Sequence, residues 1–62
     1  MDISRVKSNL GRKVFYNENE YLLSGCIIRA NEQGFYYQAE IQDLTAVHSI
    51  AICKLEDLME ES

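Results

Sequence analysis

Residues 35–44 read FYYQAEIQDL, and this stretch alternates between apolar and polar side chains. Because successive side chains of a β-strand point to opposite faces, the stretch predicts a strand with one apolar and one polar face. Such a strand is typical of a small antiparallel sheet that covers a core on one side. The apolar parity holds Phe35, Tyr37, Ala39 and Ile41, and the polar parity holds Tyr36, Gln38, Glu40 and Gln42.

A second apolar run, EYLLSGCIIRA, occupies residues 20–30, and the residues NEQG separate it from the first. The four intervening residues predict a tight turn that closes at Gly34. Gly25 interrupts the run, and a glycine inside a strand indicates a bend or a bulge. We therefore predict a hairpin of two long strands, at residues 21–30 and 35–44.

The remaining sequence supplies shorter elements. RKVFY at residues 12–16 and HSIAICKL at residues 48–55 predict two further strands, with Ile50 and Ile52 on one face of the latter. Residues 3–10 predict a short helix that Asp2 caps and Gly11 ends, with an apolar stripe over the open end of the sheet. A helical turn is expected at residues 55–59. The stripe consists of Ile3, Val6 and Leu10.

This order of elements resembles the SH3-like small β-barrels. The resemblance is carried by Gly11-Arg12-Lys13-Val14, Glu20-Tyr21-Leu22-Leu23 and Gly34-Phe35-Tyr36-Tyr37. It implies a mainly all-β, half-open barrel of four to five antiparallel strands, with a short N-terminal helix and a C-terminal helical turn. The chain is also similar to short bacterial and mobile-element proteins of unknown role. Neither resemblance implies an activity, because such folds host many functions; the alternative fold is an open sheet packed on the helix.

The length of 62 residues allows a single domain, residues 1–62. A chain of this size buries only about 60% of its unfolded surface, so the core is thin and no cleft between two lobes can form. We therefore expect a protein that works by presenting a surface. No apolar run reaches the roughly 20 residues that span a bilayer, and the N-terminus lacks the apolar core of a signal peptide. We expect a cytoplasmic protein that makes no membrane contact.

Catalytic, metal and cofactor sites are poorly supported by the residues. Cys26 and Cys53 lie in apolar runs, where free thiols are typical and a reactive thiolate is disfavoured. With His48 they make three candidate zinc ligands, whereas a structural site usually needs four. The carboxylates are scattered, and the three glycines are isolated. The sequence therefore predicts a non-enzymatic protein with no cofactor or metal.

The aromatic residues indicate a binding surface. Tyr36 shares the polar parity with Gln38 and Glu40, and either Tyr16 or Phe15 is expected to point outward as well. Exposed tyrosines bury a large area on binding at little entropic cost. Phe35, Tyr37 and the other member of the Phe15–Tyr16 pair are expected in the core. The predicted site binds a protein partner or a second copy, as in a homodimer, with help from a free strand edge. It comprises Tyr16, Tyr36, Gln38 and Glu40.

The charge distribution offers an alternative. The whole chain carries −4, but residues 1–13 hold four bases against Asp2, a net +3, and residues 14–62 hold two bases against nine acids, a net −7. The basic segment is ordinary solvated surface, a site for nucleic acid with tyrosines stacking on bases, or a contact for an acidic partner surface. Its bases are Arg5, Lys7, Arg12 and Lys13.

Overall fold

The computed structural model describes residues 1–45 and 49–60, and its architecture is mainly β. One short helix precedes the strands, and a 3-10 turn at Leu55–Asp57 follows the fourth of them. The all-β prediction is confirmed, as are the N-terminal helix and the C-terminal helical turn. The elements are α1 at Ile3–Asn9, β1 at Lys13–Tyr16, β2 at Asn19–Asn31, β3 at Gly34–Asp43, β4 at Ile50–Lys54 and β5 at Met59–Glu60.

The five strands form one antiparallel sheet in the order β4-β3-β2-β1-β5. Strands β1 to β4 follow one another as a meander, and the chain then returns so that β5 pairs with β1. Within the residues that the structure describes, no ladder joins β4 to β5, so the sheet is open and these two strands are its edges. Helix α1 packs next to β2.

The core lies against one face of the sheet, which we call the inner face. Seven residues are buried there, and Leu23 and Ile41 are the largest side chains among them with no exposure at all. Val6 comes from α1, and Leu58 comes from the segment after the 3-10 turn, so both ends of the chain cover the sheet. The remaining core residues are Val14, Ala39 and Cys53.

A β-bulge interrupts β2 where Gly25 predicted one. The register shifts between Leu23 and Gly25, and Ser24 is the extra residue. The Ser24 hydroxyl donates to the backbone oxygen of Glu40 at 3.1 Å and to its Oε2 at 3.0 Å. A Cβ on Gly25 would lie 3.2 Å from the same Oε2, so the glycine leaves room for this contact. The bulge keeps both halves of β2 facing the core.

Helix α1 has the predicted cap, but its stripe is shorter than expected. Asp2 Oδ1 accepts a hydrogen bond from the backbone N–H of Arg5 at 2.9 Å, and Gly11, with φ of +81°, follows the helix end. Val6 is fully buried, whereas Leu10 is exposed. The prediction for Leu10 is wrong because its backbone, with ψ of 129°, has already left the helix.

The predicted burial of Phe35 and Tyr37 is also wrong. Both side chains lie on the parity that faces the core, yet Phe35 is 79% exposed and Tyr37 is 39% exposed. The reason is the unequal length of the strands: β4 pairs with β3 only at Gln38–Gln42, and β1 pairs with β2 only at residues 19–22. The far end of the β2–β3 hairpin therefore projects without a third strand, in a molecule 37 Å long and 18 Å thick.

Candidate functional site

The face opposite the core, which we call the outer face, carries the polar parity of β3. The register sets Gln42 opposite Ile50, Glu40 opposite Ile52 and Gln38 opposite Lys54. Because directly opposed residues share a face, the two isoleucines of β4 lie on the outer face, and Ala51 and Cys53 face the core. Ile50 and Ile52 do share one face as predicted, and that face is the exposed one, with Ile50 59% exposed.

An open groove of about 460 Å³ lies where β3 continues past the end of β4, and side chains from both faces of β3 line it. Tyr36 and Tyr37 stand at the groove, each 39% exposed. The α-amino group of Met1 donates to the backbone oxygen of Leu55 at 2.8 Å, so the N-terminus is fixed against the 3-10 turn at this site. The groove is lined by Met1, Tyr36, Tyr37, Gln38, Lys54, Leu55 and Glu56.

Gln38 supplies the most unusual atom of the groove. Its Oε1 is buried, yet among the described residues it has no hydrogen-bond partner. Nearly all buried polar side-chain atoms in proteins have such a partner, and an orphan acceptor costs about 1–3 kcal/mol. Gln38 also lines the groove, so the amide that carries this acceptor lies next to the space that a ligand would enter.

The other predicted site residues have different positions. Glu40 lies on the outer face, but its carboxylate accepts the hydrogen bond from Ser24 and so supports the bulge. Tyr16 lies on the inner face, half-buried against the core, and its ring meets the edge of Tyr21 at a centroid distance of 6.0 Å. The prediction that Tyr16 belongs to the binding surface is therefore not supported by its position. Phe15 points to the outer face instead, opposite Met59.

The sequence analysis missed the apolar end of the hairpin. Phe35 lies opposite Ala30 and Tyr37 lies opposite Ile28, which is 64% exposed. These side chains extend the surface beyond the groove, because both strands continue past β4. The signal that could have found them is the difference in length between the predicted strands, which leaves the hairpin end without a neighbour.

The four predicted basic residues do not form one patch. Arg5 is bound to Glu60 of β5, with its Nε 3.1 Å and its Nη2 2.9 Å from Oε2 of the carboxylate. Lys7 follows two residues later on α1, so it projects about 200° around the helix from Arg5. Arg12 and Lys13 are exposed at the start of β1. Any phosphate site would therefore rest on fewer than four bases.

The carboxylate of Glu60 joins β5 to α1. Asn9 Nδ2 donates to Oε1 at 2.7 Å, and this bond, followed by those from Arg5, holds the pKa of Glu60 below its ordinary value of 4.5. Because the folded-state pKa is lowered, the stabilisation is present above the ordinary pKa and is lost as pH falls through the folded value.

We expect Glu60→Gln to make stability less sensitive to acid. The wild-type chain should lose thermal stability as pH drops below 4.5. The variant should lose less, because position 60 no longer carries a carboxylate that can be protonated. Unfolding midpoints by circular dichroism over a pH series would measure this difference. Glu32→Gln, in the exposed hairpin turn, is the matched control, and an acid response equal in both variants would contradict the assignment.

The two cysteines are free thiols, as predicted. Ala39 lies opposite Cys26 on one side and opposite Cys53 on the other, so the thiols belong to strands two apart. At about 4.8 Å per strand their Cα atoms are roughly 10 Å apart, beyond the reach of a disulfide. Burial, and then the nearby Asp57, raise the pKa of the Cys53 thiol. His48 lies outside the described residues.

Comparisons with known proteins give no relative: no protein-family model, curated protein or solved structure matches this chain. In the described part of the chain, no helix is long and apolar enough to cross a membrane. Over the same residues, no group of three or more metal-ligating side chains is placed to hold an ion.

Proposed function

We propose that this chain is a small, non-enzymatic, cytoplasmic interaction module with an SH3-like fold. It binds a protein partner, or a second copy, through the Tyr36 groove and a free strand edge. The observation that carries the proposal is the orphan acceptor of Gln38 in an aromatic groove that opens to solvent. At the groove, the partner is an extended polypeptide segment that brings an N–H donor and an apolar side chain.

The composition of the groove favours a polypeptide ligand. Protein interfaces are enriched in tyrosine and methionine, with polar groups that fix the orientation of the bound chain. Tyr36, Tyr37, Met1 and Leu55 supply the apolar contact. A backbone N–H reaching Gln38 Oε1 would satisfy an atom that folding leaves without a partner, so binding recovers a cost that the free protein carries.

The projecting hairpin enlarges this surface. Ile28 and Phe35 are too exposed to contribute to the core, and an apolar surface of this kind marks an interaction site in a small protein. The side chains at the hairpin end are mostly apolar or aromatic, and such residues dominate the binding energy of interfaces. We assign the hairpin end to the same protein partner as the groove.

The SH3-like part of the proposal rests on topology. A four-stranded meander followed by a fifth strand that pairs with the first, with a bulge in the long second strand, suits a sheet that curls over one core.

Nucleic-acid binding remains the alternative function. One observation favours it: Lys7, Arg12 and Lys13 are exposed, and among the described residues no ion pair engages them. The pairing of Arg5 with Glu60 and the separation of Lys7 reduce the density of positive charge that a phosphate backbone needs. The protein-binding proposal therefore has the stronger support.

Photo-crosslinking in a lysate of the source cells tests the proposal. A benzophenone amino acid in place of Tyr36 should give discrete heavier adducts that resist nuclease, because the groove binds protein. The same amino acid in place of Lys7, an exposed residue of α1 that does not line the groove, is the control and should not give those adducts. Identical adducts from both positions would overturn the proposal, and adducts from Lys7 that nuclease removes would support the nucleic-acid alternative.

A further inference from the structure

Among the described residues, no strand pairs with the outer edge of β4, and the backbone groups at this edge follow a definite pattern. The backbone N–H of Asp43 donates to the oxygen of Ser49 at 3.0 Å, so this opposed pair is a hydrogen-bonded pair of the β3–β4 ladder. Hydrogen-bonded pairs alternate along an antiparallel ladder, so residues 51 and 53 also bond to β3. The N–H and C=O groups of Ile50, Ile52 and Lys54 therefore point away from β3, toward the edge.

The two edges of the sheet are protected very differently. Strand β5 has two residues, and one of them is Glu60, a charged side chain held by Arg5 and Asn9. Strand β4 has five residues, with no proline, no bulge and no charge from Ile50 to Cys53. Proteins usually block exposed edges with charges, prolines or bulges, because an unblocked edge pairs with another strand. Strand β4 has none of these features between Ile50 and Cys53, so its edge is able to pair with another strand.

We propose that β4 pairs antiparallel with β4 of a second copy, about a two-fold axis through Ile52, and joins two sheets into one. This inference rests on the proposed function. It identifies the free strand edge as β4 and the chain that binds it as a second copy. Full overlap of a five-residue strand with itself places the axis at its middle residue. Ile50, Ile52 and Lys54 then oppose Lys54, Ile52 and Ile50 of the second copy, and each pair can exchange two hydrogen bonds.

The side chains favour a second copy over a foreign strand. On the outer face Ile52 would meet its own counterpart at the axis, and the aliphatic stem of each Lys54 would lie across Ile50 of the other chain. Strand β4 contains no acidic residue, so two chains of charge −4 approach along an edge without direct repulsion between carboxylates. The surface is thus complementary to itself, as a two-fold interface requires.

The expected dimer is weak and depends on concentration. Stable complexes bury about 1,200–2,000 Å² in total, and the pairing of one short strand with its adjoining isoleucines falls at or below the lower end. The groove and the hairpin end lie outside the paired strands, apart from Lys54, so the dimer leaves most of the partner surface open.

Sedimentation velocity over a concentration series tests the inference. The wild-type chain should pass from monomer to dimer, and Ile52→Lys should remain monomeric because two ammonium groups would meet at the axis. Leu10→Lys, which adds the same charge at an exposed apolar residue outside the proposed binding surfaces, is the matched control and should dimerise like the wild type. A wild-type chain that stays monomeric, or an Ile52→Lys chain that still dimerises, would overturn the inference.

Disulfide trapping checks the register independently of charge. Opposed residues of a hydrogen-bonded pair have Cα atoms about 5.5 Å apart, which suits a disulfide. Ile52→Cys should therefore form a covalent dimer with glutathione disulfide as oxidant, which is reduced as the two thiols lose their protons. Leu10→Cys, at an exposed residue outside the proposed binding surfaces, and the wild-type chain, with its native thiols, should not. Equal dimer yields from Leu10→Cys and Ile52→Cys would reject the register.

The two proposals fail in different ways. Adducts at position 36 with a foreign protein, together with a strictly monomeric wild-type chain, would remove the dimer and keep the partner groove. A dimer that Ile52→Lys abolishes, with position 36 giving only adducts of twice the chain mass or none, would keep the dimer and remove the foreign partner.

Discussion

Replacing Leu23 with alanine is expected to lower the free energy of unfolding by about 2–5 kcal/mol. Leu23 has no exposed surface and is one of the two largest side chains in the core, so the change leaves a cavity that the rigid sheet cannot close. A core in a chain of this length rarely supplies more than about 3–5 kcal/mol. Leu23→Ala should therefore retain only a small part of the wild-type stability.

Urea unfolding followed by circular dichroism would measure this loss. Phe35→Ala is the matched control, since it removes an even larger side chain from a position that is mostly exposed. Its effect should stay within about 0.5 kcal/mol, as for most surface changes. Comparable losses in the two variants would contradict the burial that the structure assigns to these residues.

Replacing Gln38 with methionine is expected to act in the opposite direction. Methionine has nearly the same length and shape, and it removes the buried acceptor that lacks a partner, so stability should rise by about 1–3 kcal/mol. The same change should weaken crosslinking from position 36, because a partner N–H would lose its acceptor. A variant that gains stability but loses binding indicates that the original residue serves binding and lowers the stability of the fold.

Gln33→Met provides the control for this second variant. Gln33 lies exposed in the hairpin turn, so its replacement should change neither stability nor crosslinking appreciably. A Gln38→Met chain that is less stable than the wild type would show that Oε1 contributes to the folded state. Unchanged crosslinking from position 36 in that chain would show that Gln38 Oε1 does not contribute to partner binding.

Local patterns in the sequence predicted correctly which face of each strand is turned toward the core. They did not predict which parts of that face are covered by other elements. Alternation in residues 35–44 sets Ala39 and Ile41 inward, and both are fully buried. The same alternation sets Phe35 inward, but no element lies over that end of the hairpin. Which side of a strand faces the core is a local property, whereas the presence of a covering layer depends on the lengths of other strands.

The residues of the candidate site also divide into those that a local pattern predicts and those that depend on contacts between distant parts of the chain. Tyr36 and Gln38 follow from the polar parity of one strand, so sequence reasoning finds them. Met1 and Leu55 complete the groove from distant parts of the chain, joined by a bond between residues 54 positions apart, and no local pattern reveals that contact. For Phe15 and Tyr16 the sequence left open which side chain points outward, and the register of β1 turns Phe15 outward and Tyr16 inward.

The bulge in β2 has a consequence for changes in chain length. Before Ser24 the inward positions have odd numbers, such as Tyr21 and Leu23, and after it they have even numbers, such as Cys26 and Ile28. A chain that lost Ser24 would return to strict alternation with both halves of the strand still facing the core. A residue gained after Gly25 would instead turn Cys26 and Ile28 to the solvent side. Single-residue deletions are therefore best tolerated at Ser24, where the strand already carries a residue outside the ladder.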